Sequence, residues 1–339
     1  MHLPVCRLSG HSADVVKGRI SPDLHSVSTC SADKSLCVWD TFTGAALRLF
    51  EHHKGEVSDL SYHGSGNGVL SSCMDGLIRL FDLRSSSGSP AMMIPHTTQH
   101  AEFPEELACL TVGRSANSPI LVSGSSMGYL NFYDMRKGDL MVSSFAHYNS
   151  IMSLETSPND TMVASASLDG TIRVFSASKG DCLMTVDEAI SRAAPCVYAG
   201  FTSDCEGLVG LFLDSTGRRW DMHDRIHPKQ VITGPKISNS TKTFAKIDDI
   251  GGVAIPSEDG TIHFINVYSG KQVQKPTKAH ADDVLSVDYR DGVMISTGAG
   301  EDSSAVLWIR VDEEGARTRA QRDYSMSYSL VLPQIEGLI

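Results

Sequence analysis

The chain has 339 residues, 41% of them hydrophobic, enough to build a sizeable core. A formal net charge of −11 excludes a general nucleic-acid scaffold, because proteins that bind DNA or RNA broadly carry a basic surface. No run of about 18 apolar residues occurs, so no membrane-spanning helix is expected, and the opening "MHLPVCRLSG" lacks the basic-then-apolar order of a signal peptide.

The first element is the short apolar run "LPVCRL" at residues 3–8, which has no hairpin partner of its own. Next, "GHSADVVKGRISPDLHSVSTCSADKSLCVWD" (10–40) places Asp33 22 residues after His11, and Trp39 six residues after that. The same intervals return at His53, Asp75 and Phe81, at His147, Asp169 and Phe175, and at His280, Asp302 and Trp308. A catalytic set is needed once per site, whereas a structural device is needed once per repeat, so the triplet reads as architecture.

The strands that close each unit are "SLCVWD", "LIRLFD", "YLNFYD", "TIRVFS", "TGRRWD", "TIHFIN" and "SAVLWI". Their aligned positions are Trp39, Phe81, Tyr133, Phe175, Trp220, Ile265 and Trp308, with gaps of 42, 52, 42, 45, 45 and 43 residues. A strand with its turn takes about 8–12 residues, so each gap holds a four-strand unit. Asp-Gly in "MDGLIRLF", "LDGTIRVF" and "EDGTIHFI" predicts tight two-residue hairpins with positive φ angles. Ser- and Thr-rich runs precede these turns and offer hydroxyls. Met127 stands at the turn-Asp position of unit three, and Arg192 and Ile237 stand at the His positions of units five and six.

These residues resemble the WD-repeat family, whose signature is a Gly-His pair and a terminal Trp-Asp in repeats of about 40–45 residues. The resemblance covers residues 1 to about 311 and implies an all-β fold, a seven-bladed β-propeller. It also implies a buried network, carried here onto His11, Ser28, Asp33 and Trp39. Phe81 and Phe175 lack the N–H that Trp would donate. The seventh blade lacks an outer strand, and "LPVCRL" is expected to supply it, closing the ring and removing a bare sheet edge. Residues 312–339 are then a C-terminal tail.

Eight cysteines are scattered without CxxC spacing, which fits a reducing compartment, and the sequons at Asn159 and Asn239 read as chance matches. His223 and His227 have i, i+4 spacing but sit in an inter-strand loop before Pro228, so no metal site is expected. "HGSGNG" (63–68) connects two strands and opens no helix, so it is a loop and no phosphate cradle. No GxSxG or HExxH motif occurs. No catalytic residue, enzyme activity or cofactor is expected.

In the geometry this resemblance implies, the residue before each turn Asp faces the top entrance: Ala32, Met74, Ser126, Leu168, Leu213, Glu258 and Glu301. Asp14, Glu56, Glu105, Glu106 and Asp283 lie near them. An acidic rim with apolar residues between suits a cationic peptide. The segments "GEVSD" and "CSADK" resemble the propeller subunit of histone lysine methyltransferase complexes. Ala32 and Ser58 match two positions of its arginine pocket, while Leu168 and Ala108 replace its clamping aromatics. Asp82-Leu83-Arg84 and Asp134-Met135-Arg136 end consecutive blades, as in propellers that recruit substrates to cullin ubiquitin ligases, making Arg84 and Arg136 adaptor contacts in that alternative. The primary expectation is an intracellular, nuclear or cytoplasmic scaffold subunit of a hetero-complex, chromatin- or RNA-associated. Its partners would be other proteins, without direct nucleic-acid or membrane contact.

Overall fold

The computed structural model describes residues 2–97, 105–186, 194–224, 227–238, 245–246, 251–300 and 302–310; the C-terminal tail lies outside them. The described strands form seven antiparallel sheets of four. Six sheets use four strands consecutive in the chain. The seventh joins Val284–Arg290, Val293–Gly298 and Ser304–Arg310 to the first strand, His2–Ser9. His2 pairs with Arg310 and Ser9 with Ser304, so residues from the two ends of the described chain share one sheet. The fold is a seven-bladed β-propeller, with blades numbered here from Val15–Ile20.

Seven apolar clusters fill the seven seams between neighbouring blades. The period of a strand explains how. In the third strand of blade 1, Leu36–Asp40, Cys37 and Trp39 enter the seam with blade 7, while Leu36 and Val38 enter the seam with blade 2. Successive side chains leave on opposite faces, so a strand sandwiched between two blades reads as almost continuously apolar. Leu8 of the closing strand drops into the blade 7–blade 1 seam beside Trp39 and Ile295.

The innermost strands pack side by side around the axis without sharing a backbone ladder. Side chains take the place of that ladder. Ser286 Oγ accepts from Gly18 N (3.1 Å), Asp288 Oδ2 from Ile20 N (2.9 Å), Asp59 Oδ2 from Leu110 N (3.2 Å) and Ser153 Oγ from Ala199 N (3.1 Å). Lys17 and Asp59 form a buried pair at 2.7 Å across blades 1 and 2. Gly18 is required for the approach, since a Cβ there would lie 2.9 Å from Ile295 Cδ1.

One expectation about the turns is corrected. In blades 1, 2, 4, 5 and 6 the turn Asp does not adopt a positive φ; the residue after it does, at Lys34 (71°), Gly76 (79°), Gly170 (84°), Ser215 (64°) and Gly260 (75°). The Asp carboxylate instead accepts from the backbone two residues on, as Asp33 does from Ser35 N (2.9 Å) and Asp169 from Thr171 N (2.9 Å). The loop is an Asx turn and not a two-residue mirror turn, so Asp is needed for its side chain.

Candidate functional site

The recurring triplet forms buried struts. In blade 1, His11 Nδ1 lies 3.0 Å from Asp33, while Thr29 Oγ1 meets both His11 Nε2 and Trp39 Nε1 at 2.8 Å. The hydroxyl expected at Ser28 is therefore supplied by Thr29. Strand alternation points Ser28 to the opposite face, where it donates to Tyr62 of blade 2 at 2.6 Å. Blade 4 joins His147 to Asp169 (3.0 Å), Thr171 (3.1 Å) and Ser165 (2.7 Å). Blade 7 joins His280 to Asp302 (3.2 Å) and Ser296 (2.9 Å), and Trp308 Nε1 donates to Ser296 at 3.0 Å. Arg7 of the closing strand also binds Asp302.

Blade 2 departs from the pattern. His53 contacts Ser71 (2.8 Å), but Asp75 turns to Arg79, gripping it at 3.0 and 2.7 Å. Blades 5 and 6 lose both the His and the hydroxyl. Strand pairing places Gly210 and Ile255 where the other blades have Ser or Thr, and Trp220 Nε1 is left without an acceptor.

Ser, His and Asp linked in this order resemble a hydrolytic relay. Burial separates the two cases: His147, Ser165, His280 and Ser296 are at most 2% exposed, so no substrate carbonyl can reach the hydroxyl. Burial also pulls the pKa of His11 and His280 down, outweighing the nearby Asp33 and Asp302 carboxylates. Burial alone would raise Asp33, but hydrogen bonds from the Ser35 hydroxyl and from the N–H groups of Ser12 and Ser35 bring it down to about 2. In blades 1 and 7 the strut thus sets a neutral imidazole against a carboxylate, an arrangement that positions strands.

The top entrance is built from seven equivalent backbone bonds. The N–H groups of Ala32, Met74, Ser126, Leu168, Leu213, Glu258 and Ala299 donate to the carbonyls of Asp14, Glu56, Glu106, Ser150, Pro195, Lys236 and Asp283, each at 3.0 Å. Six of the seven expected positions stand in this ring. In blade 7 the ring member is Ala299 instead of Glu301, because "GAGED" inserts two residues before Asp302; Glu301 itself lies outside the described residues. Six inner strands carry a β-bulge near this end, and Ser58 and Ala108 are two of the bulged residues. Ser58 uses the bulge to donate to Leu107 O of blade 3 at 2.7 Å, so it stitches blades together.

The rim is divided by chemistry. Exposed or half-exposed carboxylates ride on blades 7, 1, 2 and 3: Asp282, Asp283, Asp14, Glu56, Glu105 and Glu106. Over blades 4 and 5, Leu168 and Leu213 lean on the blade 5–blade 6 seam. Glu258 on blade 6 is half-exposed and keeps its charge, its carboxylate accepting from the Ser238 N–H and hydroxyl, both neutral donors. The exposed Asp14 accepts from Gly300 N at 2.9 Å.

At the opposite end, Arg84 and Arg136 repeat one geometry. Each bonds its own Asp82 or Asp134 through Nε (3.1 Å in both) and Nη2 (3.2 and 2.8 Å), and both guanidinium groups are exposed. His96 was missed by sequence spacing. It is fully buried and meets Ser123 at 2.7 Å, but 31 residues separate it from Met127 where other blades have 22. Only the extra length between blades 2 and 3 hides it. Among the described residues, no group of three His, Cys, Asp or Glu side chains gathers as a metal site.

The family described as "WD domain, G-beta repeat" matches residues 3–40, 44–82 and 140–176. Similar curated proteins include "Periodic tryptophan protein 2 homolog" of Dictyostelium discoideum, 24% identical over 94% of this chain and 34% of that protein. "Target of rapamycin complex subunit wat1" of Schizosaccharomyces pombe is 26% identical over 51% of this chain and 54% of its own. "Transcriptional corepressor LEUNIG_HOMOLOG" of Arabidopsis thaliana is 24% identical over 51% of this chain and 20% of its own. The chain thus spans about a third or less of the periodic tryptophan proteins it matches.

Proposed function

Because the chain is a seven-bladed β-propeller of WD repeats, we propose that it is a non-enzymatic scaffold subunit of an intracellular multiprotein complex, whose top entrance receives a basic segment of a partner protein. The observation that carries this reading is the divided rim: carboxylates on blades 7, 1, 2 and 3 beside an apolar arc on blades 4 and 5. Like charges clustered at one opening focus a field that captures a cationic segment, and the apolar arc accepts the stem of a Lys or Arg side chain. The strut hydroxyls are sealed from solvent, which favours holding over catalysis. Relatives described as a complex subunit and as a corepressor support assembly as the role.

The test is stopped-flow association of a fluorescent peptide of alternating Lys, Gly, Arg and Ser with the parent and with the combined Asp14→Asn, Glu56→Gln, Asp283→Asn variant. Association should slow several-fold and lose most of its salt dependence, since steering charges act on the on-rate. Equal rates at every salt concentration would remove the binding site from this face. A substrate receptor of a cullin-type ubiquitin ligase is the second reading, favoured by the matched Arg84 and Arg136 geometry at the bottom. Loss of adaptor co-purification on changing both arginines, with peptide capture at the top intact, would select it.

A further inference from the structure

Blade 3 breaks the strut pattern at one position. The turn residue that is Asp33, Asp75, Asp169 and Asp302 in blades 1, 2, 4 and 7 is Met127 here. Met127 offers only a weak thioether acceptor in place of a carboxylate, and His96 Nε2 is left buried without a partner. Nor does the methionine enter the core: it is 63% exposed. A residue that abandons a local stabilising device and gains no burial in return is the expected mark of a surface under functional demand.

The neighbourhood of Met127 points the same way. Tyr129 pairs directly with Phe145 of the outer strand Asp139–Phe145, and their rings meet edge to face at 5.2 Å. Phe145 in turn meets Tyr148 edge to face at 5.6 Å. Phe145 is 51% exposed and Tyr148 83% exposed. The Met127–Gly128 turn lies against this ladder, because Gly128 O accepts from Ala146 N (2.9 Å) and His147 N (3.0 Å), between the two rings in sequence. On its other side, Ser126 N bonds Glu106 O at 3.0 Å, which brings the exposed Glu106 beside the methionine.

We infer that the upper rim of blade 3 is the anchoring site of the partner: Met127, Phe145 and Tyr148 clamp an apolar side chain of an extended segment, and Glu106 with the Tyr148 ring holds a Lys or Arg two residues away. The chemistry commits to that occupant. Methionine and tyrosine adapt to an apolar side chain at low entropic cost. The adjoining carboxylate and the π face both favour a cation over an anion. This inference rests on the scaffold reading above and narrows it from a rim to one blade.

The experiment follows methionine methyl resonances of the full chain, with Met127 assigned by its loss in Met127→Leu. The probe is a short acetylated peptide carrying Leu two residues from Arg, beside Gln-for-Arg and Ser-for-Leu versions. The Met127 methyl should shift with the Leu/Arg peptide, and each altered peptide should bind at least about tenfold more weakly. Met127→Asp restores the turn residue of the other blades, so this variant should melt no lower than the parent and yet lose at least about tenfold in affinity, as should Tyr148→Ala. A Met127 methyl that stays fixed, or Met127→Asp binding as the parent does, overturns the inference. If the Asp14, Glu56, Asp283 variant then still loses the peptide, only the blade 3 anchor fails; if Met127 shifts unchanged in that variant, the acidic arc fails instead.

Discussion

Replacing Thr29 by Val keeps the shape of a buried side chain and removes a single oxygen. That oxygen stands 2.8 Å from both His11 Nε2 and Trp39 Nε1, and Thr29 is 1% exposed. With Asp33 accepting from His11 Nδ1–H, Nε2 accepts the Thr29 proton, and Thr29 accepts from the Trp39 N–H. Valine orphans the imidazole acceptor and the indole donor together. A buried polar group without a partner costs about 1–3 kcal/mol, so the pair costs about 2–6 kcal/mol, with no cavity contribution. At roughly 2.1 cal/mol/K per residue over about 300 residues, that lowers the melting temperature by about 3–10 °C. Urea denaturation followed by tryptophan fluorescence supplies the free energy, and a melting scan supplies the shift. Ser28→Ala is the control: Tyr62 keeps its 3.0 Å contact with Ser26, so the loss should be smaller. Thr29→Val within about 0.5 kcal/mol of the parent, or less harmful than Ser28→Ala, would refute the strut assignment.

Acid should weaken the ring well before the carboxylates titrate. Burial holds His2, His53 and His96 near pKa 4, against an ordinary 6.5, so the native state keeps them neutral while the unfolded chain binds protons below about pH 6.5. Stability is complete above that point and falls by several kcal/mol toward pH 4, while Asp33, Asp75 and Asp302, near pKa 2, stay ionised through the window. A urea midpoint that stays flat from pH 6.5 to 4.5 would contradict this; His96→Asn should make the decline shallower. Asp75→Ala strands the Arg79 guanidinium, which is 2% exposed, and should cost about 3–5 kcal/mol by urea denaturation. Asp214→Ala, whose partner Arg218 is more exposed, should cost less, and the opposite order would disprove the burial argument.

The repeat intervals and the two-residue alternation of the strands determined the blade count and the membership of most struts. Both follow from local geometry: a hairpin has a fixed length, and successive side chains leave a strand on opposite faces. The same alternation defeats a one-residue error, which is why Ser28 and Thr29 exchange roles once strand pairing is seen. Spacing also fails where loops grow, hiding His96, and where residues are inserted, displacing Glu301 from the ring position held by Ala299. Sequence names the residues along one chain, but the entrance is assembled from seven distant loops. Only the folded structure could decide that Glu258 turns to Ser238, that Asp75 turns to Arg79, and that the Phe145 and Tyr148 rings meet. Those outcomes depend on which side chain lies within hydrogen-bond or van der Waals reach, a distance that no interval along the chain encodes.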